Sequence, residues 1–141
     1  MTKGVSNYQS ILAVCVAFKS FSVLPRMAKS LPGSVKLSIV DNGPDDGIRE
    51  WAIQSGHLLT TPEKNLGFGA ACNLGSAIVD SEFILFINPD TKVSNSAISE
   101  LLGAAKNYPN AVAFGPQISR EDGSVFRYRP SRFSNLKDRQ S

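Results

Sequence analysis

The chain alternates between short, unbroken apolar runs and segments whose apolar residues recur every three or four positions. Residues 11–18 are continuously apolar and of strand length, the pattern of a strand covered on both faces, as in a parallel sheet. Residues 83–87 repeat that pattern and are expected to lie centrally in the sheet; residues 35–40, apolar apart from Lys36 and Ser38, read as a second strand and 56–60 as a short third one. The intervening segments read as helices. Residues 22–31 carry Val23, Leu24, Met27 and Ala28 on one side, tolerate Pro25 in the first turn, and stop at Pro32-Gly33. Residues 48–54 follow an acidic loop that suits the helix dipole. Residues 67–80 predict a long helix rich in small residues at its start, and 96–107 a further one with Ile98, Leu101, Leu102 and Ala105 on its apolar face. Residues 111–114 read as another strand, and Ile118-Ser119 and Val125-Phe126 are spaced to pair across a Gly123 turn.

This alternation predicts an α/β fold with a mainly parallel sheet. A length of 141 residues supplies one sizeable core, expected over 11–129, with a flexible stretch at 1–10 and a basic, disordered tail at 130–141. The composition, 42% apolar and 19% charged, is that of a soluble globular protein. The net charge of +3 owes much to Arg127, Arg129, Arg132, Lys137 and Arg139. Such a terminus is either solvated or touches an anionic lipid surface or a phosphate. The chain has no basic and aromatic stripe of the kind that binds nucleic acid. Cys15 and Cys72 belong to no Cys-x-x-Cys pair, His57 has no metal-ligand spacing, and the 11–18 run is too short to cross a bilayer. The expectation is a cytoplasmic chain, with peripheral contact at the inner face of the membrane open to its tail.

Ligands of open parallel sheets bind beyond the carboxyl ends of the strands. Polar clusters fall at three such ends: Lys19-Ser20, Asp41-Asn42, and Asn88-Pro89-Asp90-Thr91. Asp90 follows an apolar strand, where a carboxylate needs a partner; a divalent cation bridging to a diphosphate would be one, and capping of the next helix is the other use of such a residue. Asp41 either accepts the imide N–H of a uracil or thymine or makes an Asx turn into Gly43-Pro44. In residues 65–73, Gly67 and Gly69 allow close approach of either a ligand or the sheet, and Asn73 is placed to reach a base or ribose. A dinucleotide fingerprint is missing after the first strand, and neither a phosphate-binding P-loop nor a nucleophile elbow occurs.

Taken in order, residues 11–18, Ile39-Val40-Asp41-Asn42, Asn65-x-Gly67-x-x-x-Ala71-x-Asn73-x-Gly75 and Phe86-Ile87-Asn88-Pro89-Asp90-Thr91 resemble the family 2 glycosyltransferases, in their rhamnosyltransferase-like branch. Gly115-Pro116 and Asp122-Gly123 continue the resemblance, which covers roughly residues 10 to 130. It implies a GT-A, Rossmann-like three-layer fold, a UDP- or dTDP-sugar donor, Mg²⁺ or Mn²⁺, and inverting transfer to a glycan or lipid-linked acceptor. Asp41 would then contact the base, Asn42, Asn65, Gly67 and Asn73 would line the nucleotide pocket, and Asn88 would meet the ribose or a sugar hydroxyl. Asp90 would hold the metal, with Asn88 standing where the family's Asp-x-Asp motif has its first carboxylate. The sequence departs from the family in its acidic residues after Asp90, namely Glu100, Glu121, Asp122 and Asp138, none of which is assigned as the base. The chain therefore reads as a donor-binding portion truncated before the acceptor half. The competing expectation is a catalytically silent GT-A binding or assembly module that self-associates through an apolar face left open.

Overall fold

The computed structural model describes residues 10–44, 46–120 and 122–126, so the expectations for residues 1–9 and for the basic tail lie outside the described residues. The chain divides into two compact units, residues 1–96 and 97–141.

The first unit holds strands β1 (Ile11–Ala17), β2 (Lys36–Asp41), β3 (Leu58–Thr60) and β4 (Phe83–Phe86), and helices α1 (Leu24–Ser30), α2 (Ile48–Gln54) and α3 (Phe68–Ser76). The strands form one sheet in the order β3-β2-β1-β4 with every pairing parallel. The chain steps outward from β1 to β2 to β3, then returns across β1 to place β4 on its other side. Right-handed crossovers put α1 and α2 on one face and α3 on the other. The point where the direction reverses, between β1 and β4, is where such sheets bind ligands.

Burial explains the unbroken apolar run of β1 and the mainly apolar β2. Leu12, Ala13, Val14 and Cys15 of β1 and Leu37, Ile39 and Val40 of β2 are all buried, so both faces of these two strands are covered. Leu24 and Met27 of α1, Ile48 and Ala52 of α2, and Ala71 and Cys72 of α3 complete the core. Helix α3 lies tightly against the sheet at Gly75. A Cβ there would come within 2.6 Å of Val14 Cγ1 and 2.8 Å of Val40 Cγ2, and the Ser38 hydroxyl donates to the Gly75 carbonyl at 3.0 Å. At Gly69, by contrast, a Cβ would meet nothing within 4 Å, so the close-packed glycine is the later one.

Three expectations need correction. The strand at Phe83–Phe86 is an edge strand among the described residues, not a central one, and its alternation of half-buried and exposed positions follows from that place. Helix α3 ends at Ser76 rather than near residue 80; the Ser76 hydroxyl donates back to the Asn73 carbonyl at 3.0 Å, a local bond that competes with continuation of the helix. Residues 111–114 form no strand, because no described strand lies beside them to pair with, and Val112 is fully exposed.

The second unit contains α4 (Ala97–Asn107) and the turn expected at Gly123. That turn is closed by an antiparallel bridge between Ser119 and Val125, with the Arg120 N–H donating to the Ser124 carbonyl at 2.8 Å. The Arg120 guanidinium lies 5.2 Å from the Phe126 ring centre.

Candidate functional site

Because all four strands are parallel, their carboxyl ends share one edge of the sheet, and the loops leaving that edge are tied to one another. After β1, the Ser20 hydroxyl accepts from the Phe18 N–H at 3.1 Å and donates to the Phe18 carbonyl at 3.0 Å, a local ring that holds Lys19 at a φ of 51°. Asp46, in the loop after β2, accepts from the Phe21 N–H at 3.2 Å, joining that loop to the one after β1.

Asp41 ends β2 with its carboxylate fully buried. One oxygen is 2.8 Å from Arg49 Nε in a salt bridge, and the other makes a long Asx-type contact of 3.5 Å with the Gly43 N–H. A buried carboxylate without such a partner would be costly, which accounts for a cation in the first turn of α2, where the helix dipole disfavours one. Asn42 is bonded to Asn65 and to the Leu66 backbone across the gap between β2 and α3. The Asn42 amide donates to Asn65 Oδ1 at 2.8 Å and its carbonyl accepts the Leu66 N–H at 2.9 Å, while Asn65 Oδ1 also takes the Gly67 N–H at 2.8 Å. Gly67 then starts α3 with φ 74° and ψ 171°, a region open essentially to glycine alone. The structure thus brings Asp41, Asn42, Asn65 and Gly67 to one place.

Beside them lies a cleft of about 350 Å³, lined among others by Phe18, Asn42, Arg49, Pro62, Lys64 and Asn65. Phe18 is half exposed, and the Lys19 ammonium lies over its ring, 5.9 Å from the ring centre. A larger hollow of about 430 Å³ opens at the other end of the sheet, near Lys36 and His57 at the amino ends of β2 and β3, away from these polar groups. His57 packs on Trp51 with ring centres 5.2 Å apart, and burial holds its pKa below the usual 6.5.

Asn88 and Asp90 follow β4 on the other side of β1, and both are exposed. The Thr91 N–H donates to the Asn88 carbonyl at 3.1 Å, so the segment turns sharply after the strand. Asp90 is near enough to the interior of β1 that its charge acts on Cys15: burial first, then the charges of Asp90 and Cys72, push that thiol up to about 12. Asn73 is exposed on α3 and does not line the 350 Å³ cleft. Among the described residues, no group of three or more His, Cys, Asp or Glu side chains is arranged to hold a metal ion. A single exposed carboxylate is nonetheless the donor set expected for a cation that takes most of its ligands from a diphosphate and water.

Two residues escaped the sequence reading. Arg49 gave a faint signal, a basic residue where an acidic one suits the helix start. Asp46 belongs to the acidic loop before residues 48–54, where nothing marked it out, and it accepts two backbone N–H groups, Phe21 at 3.2 Å and Ile48 at 3.4 Å.

The chain matches glycosyl transferase family 2 over residues 13–141. It is 37% identical over 114 residues to the N-acetylglucosaminyl-diphospho-decaprenol L-rhamnosyltransferase of Mycobacterium tuberculosis, in both strain CDC 1551 / Oshkosh and strain ATCC 25618 / H37Rv. That alignment covers 71% of this chain and only 36% of the relative's length. Among solved structures it is similar to S. aureus TarS 1–349, with a TM-score of 0.60 and 14% identity, covering 79% of this chain and 40% of that one. TarS 1–349 in complex with UDP-GlcNAc gives a TM-score of 0.60 and 15% identity over 71% of this chain and 32% of the other. The α/β fold is thus that of the amino-terminal part of a GT-A enzyme, and the chain belongs to glycosyl transferase family 2.

Proposed function

We propose that the chain binds a nucleoside-diphosphate sugar, UDP- or dTDP-linked, across the carboxyl edge of its sheet. It would serve as the donor half of an inverting sugar transfer to a glycan or lipid-linked acceptor. The observation that carries this reading is the gathering of polar groups from the ends of β1, β2 and β4 on one edge, with the 350 Å³ cleft on one side of β1 and Asp90 on the other. The nucleoside occupies the cleft, over Phe18 and beside Asp41, Asn42, Asn65 and Gly67. Its diphosphate runs past the end of β1 toward Asp90, and Asn88 and Asn73 meet hydroxyls of the ribose or sugar. Asp90 holds Mg²⁺ or Mn²⁺, which when bound offsets the charge that builds on the departing diphosphate. The name of the M. tuberculosis relative supports an L-rhamnosyl donor and a lipid-linked acceptor, and the TarS complex with UDP-GlcNAc supports a nucleotide-sugar donor. The chain spans 36% of the length of that relative, and the base that deprotonates the acceptor is assigned to none of its residues.

Calorimetric titration tests the reading. UDP or dTDP should bind, Mg²⁺ or Mn²⁺ should strengthen binding, and Asp90→Ala should abolish the metal effect while sparing the nucleotide. Because one carboxylate alone makes a poor site, either metal without nucleotide should give no saturable heat. Flat traces with every nucleotide and both metals would rule the proposal out.

One observation favours a second reading, a silent assembly module. Ile84 and Phe86 of edge strand β4 are 43% and 52% exposed, and an apolar edge invites pairing with another chain. That reading requires a concentration-dependent dimer in light scattering, and a monomer at high concentration would count against it.

A further inference from the structure

The cleft proposed to take the nucleoside is lined by Arg49 but not by Asp41. The Asp41 side chain has no exposed surface, whereas the Arg49 side chain is 39% exposed, and the two are joined at 2.8 Å through Nε. Arg49 therefore stands between the cleft and the carboxylate. A base entering the cleft meets a guanidinium first, and reaches Asp41 only if that salt bridge opens. A guanidinium donates hydrogen bonds and accepts none, and its planar fork is held in one orientation when an anchored carboxylate takes Nε.

We infer that Arg49 is the residue that selects the nucleobase, by donating to the ring carbonyl oxygen at position 4 of uracil or thymine, where cytosine has an amino group, and that Asp41 is a positioning residue acting through it. The inference rests on the nucleotide reading above. A cation facing the base favours a carbonyl and disfavours an amino group at the same ring position, so the cleft should prefer UDP and dTDP to CDP. The alternative assignment, direct contact of Asp41 with the imide N–H, predicts the same preference but assigns it to the other member of the pair.

Two substitutions separate these assignments, with UDP, CDP and GDP as probes in calorimetric titrations of the full chain. Arg49→Met should lower UDP affinity about tenfold or more and leave CDP little changed, the loss expected for one charge-assisted hydrogen bond. If Asp41 reads the base, uncovering it by the same substitution should leave UDP affinity intact or raise it, and that result overturns the inference. Asp41→Asn leaves no buried charge unpaired and serves if Arg49→Met does not fold. It should weaken UDP binding but keep the preference over CDP, because Arg49 remains; complete loss of the preference in a folded Asp41→Asn overturns the inference. GDP also carries a ring carbonyl, so its arm decides whether the cleft takes a purine. Tight GDP binding lost in Arg49→Met supports carbonyl recognition by Arg49, with the base reassigned. Absence of binding by any of the three to the unaltered chain overturns the nucleotide reading, and the inference with it. Binding of UDP that ignores Arg49 overturns the inference alone.

Discussion

Gly75→Ala tests the packing that holds α3 on the sheet. The added methyl would lie 2.6 Å from Val14 Cγ1, 2.8 Å from Val40 Cγ2 and 3.4 Å from Ser38 Oγ. Carbon atoms in contact prefer about 3.5–4.0 Å, so a movement of about 1 Å is needed. The neighbours cannot easily supply it. Both valines are buried in the two central strands, and β-branched side chains are stiff about χ1. Shifting α3 instead lengthens the buried Ser38–Gly75 hydrogen bond, now 3.0 Å, worth about 0.5–1.5 kcal/mol. Overpacking of this kind costs about 1–3 kcal/mol, and the better helix propensity of alanine returns at most about 1 kcal/mol. The net expectation is a loss of about 1–3 kcal/mol, read as a fall of about 4–10 °C in the midpoint of a circular-dichroism melt. Combined with Val14→Ala, Gly75→Ala should cost less than the two single losses added together, with a favourable coupling of about 0.5 kcal/mol or more. A Gly75→Ala variant that melts at or above the unaltered chain would refute the argument.

Gly67→Ala should destabilise by about 1–3 kcal/mol for a different reason, strained backbone rather than clash, since φ is 74° and nothing lies within 4 Å of a Cβ there; a urea titration checks it. His57 has a folded pKa below its unfolded value of 6.5, so its contribution is fully present above pH 6.5 and is lost as pH falls through the folded value. Trp51, the one tryptophan and in contact with His57, should report that titration by fluorescence with a midpoint below 6.5, and His57→Gln should remove it. Cys15, with its thiol pushed up to about 12, should resist alkylation in the folded chain at pH 8 and react at once in denaturant; mass spectrometry of the labelled peptide reads both states.

Hydrophobic patterning carried much of the fold because burial on both faces leaves a plain trace in the sequence. β1 is legible in its unbroken apolar run and β2 in Leu37, Ile39 and Val40 before Asp41, and α2 was bounded correctly at residues 48–54. The pattern failed where burial was partial. Phe83–Phe86 reads as central because its residues are apolar, yet alternate positions face out. Residues 111–114 have the composition of a strand, but pairing depends on a neighbour that local sequence does not encode. At the site, Asn42, Asn65 and Gly67 could be named from their motif, while the hydrogen bonds from Asn42 to Asn65 and from the Leu66 N–H to Asn42 depend on how far β2 lies from α3. Arg49 gave no more than a faint signal because its importance comes from Asp41, eight positions earlier, being buried.

The strand order also governs how the molecule assembles. β1 pairs with β2 across a short crossover, whereas its other neighbour, β4, lies about seventy residues downstream, from Ile11 to Phe83. During synthesis the first strand must wait with one flank unsatisfied until the fourth leaves the ribosome. That flank is an apolar template for any passing strand. The late arrival of Phe83–Phe86 thus sets the interval in which a nascent chain is most exposed to mispairing, and substitutions that weaken β4 should show first as poor yield of soluble protein.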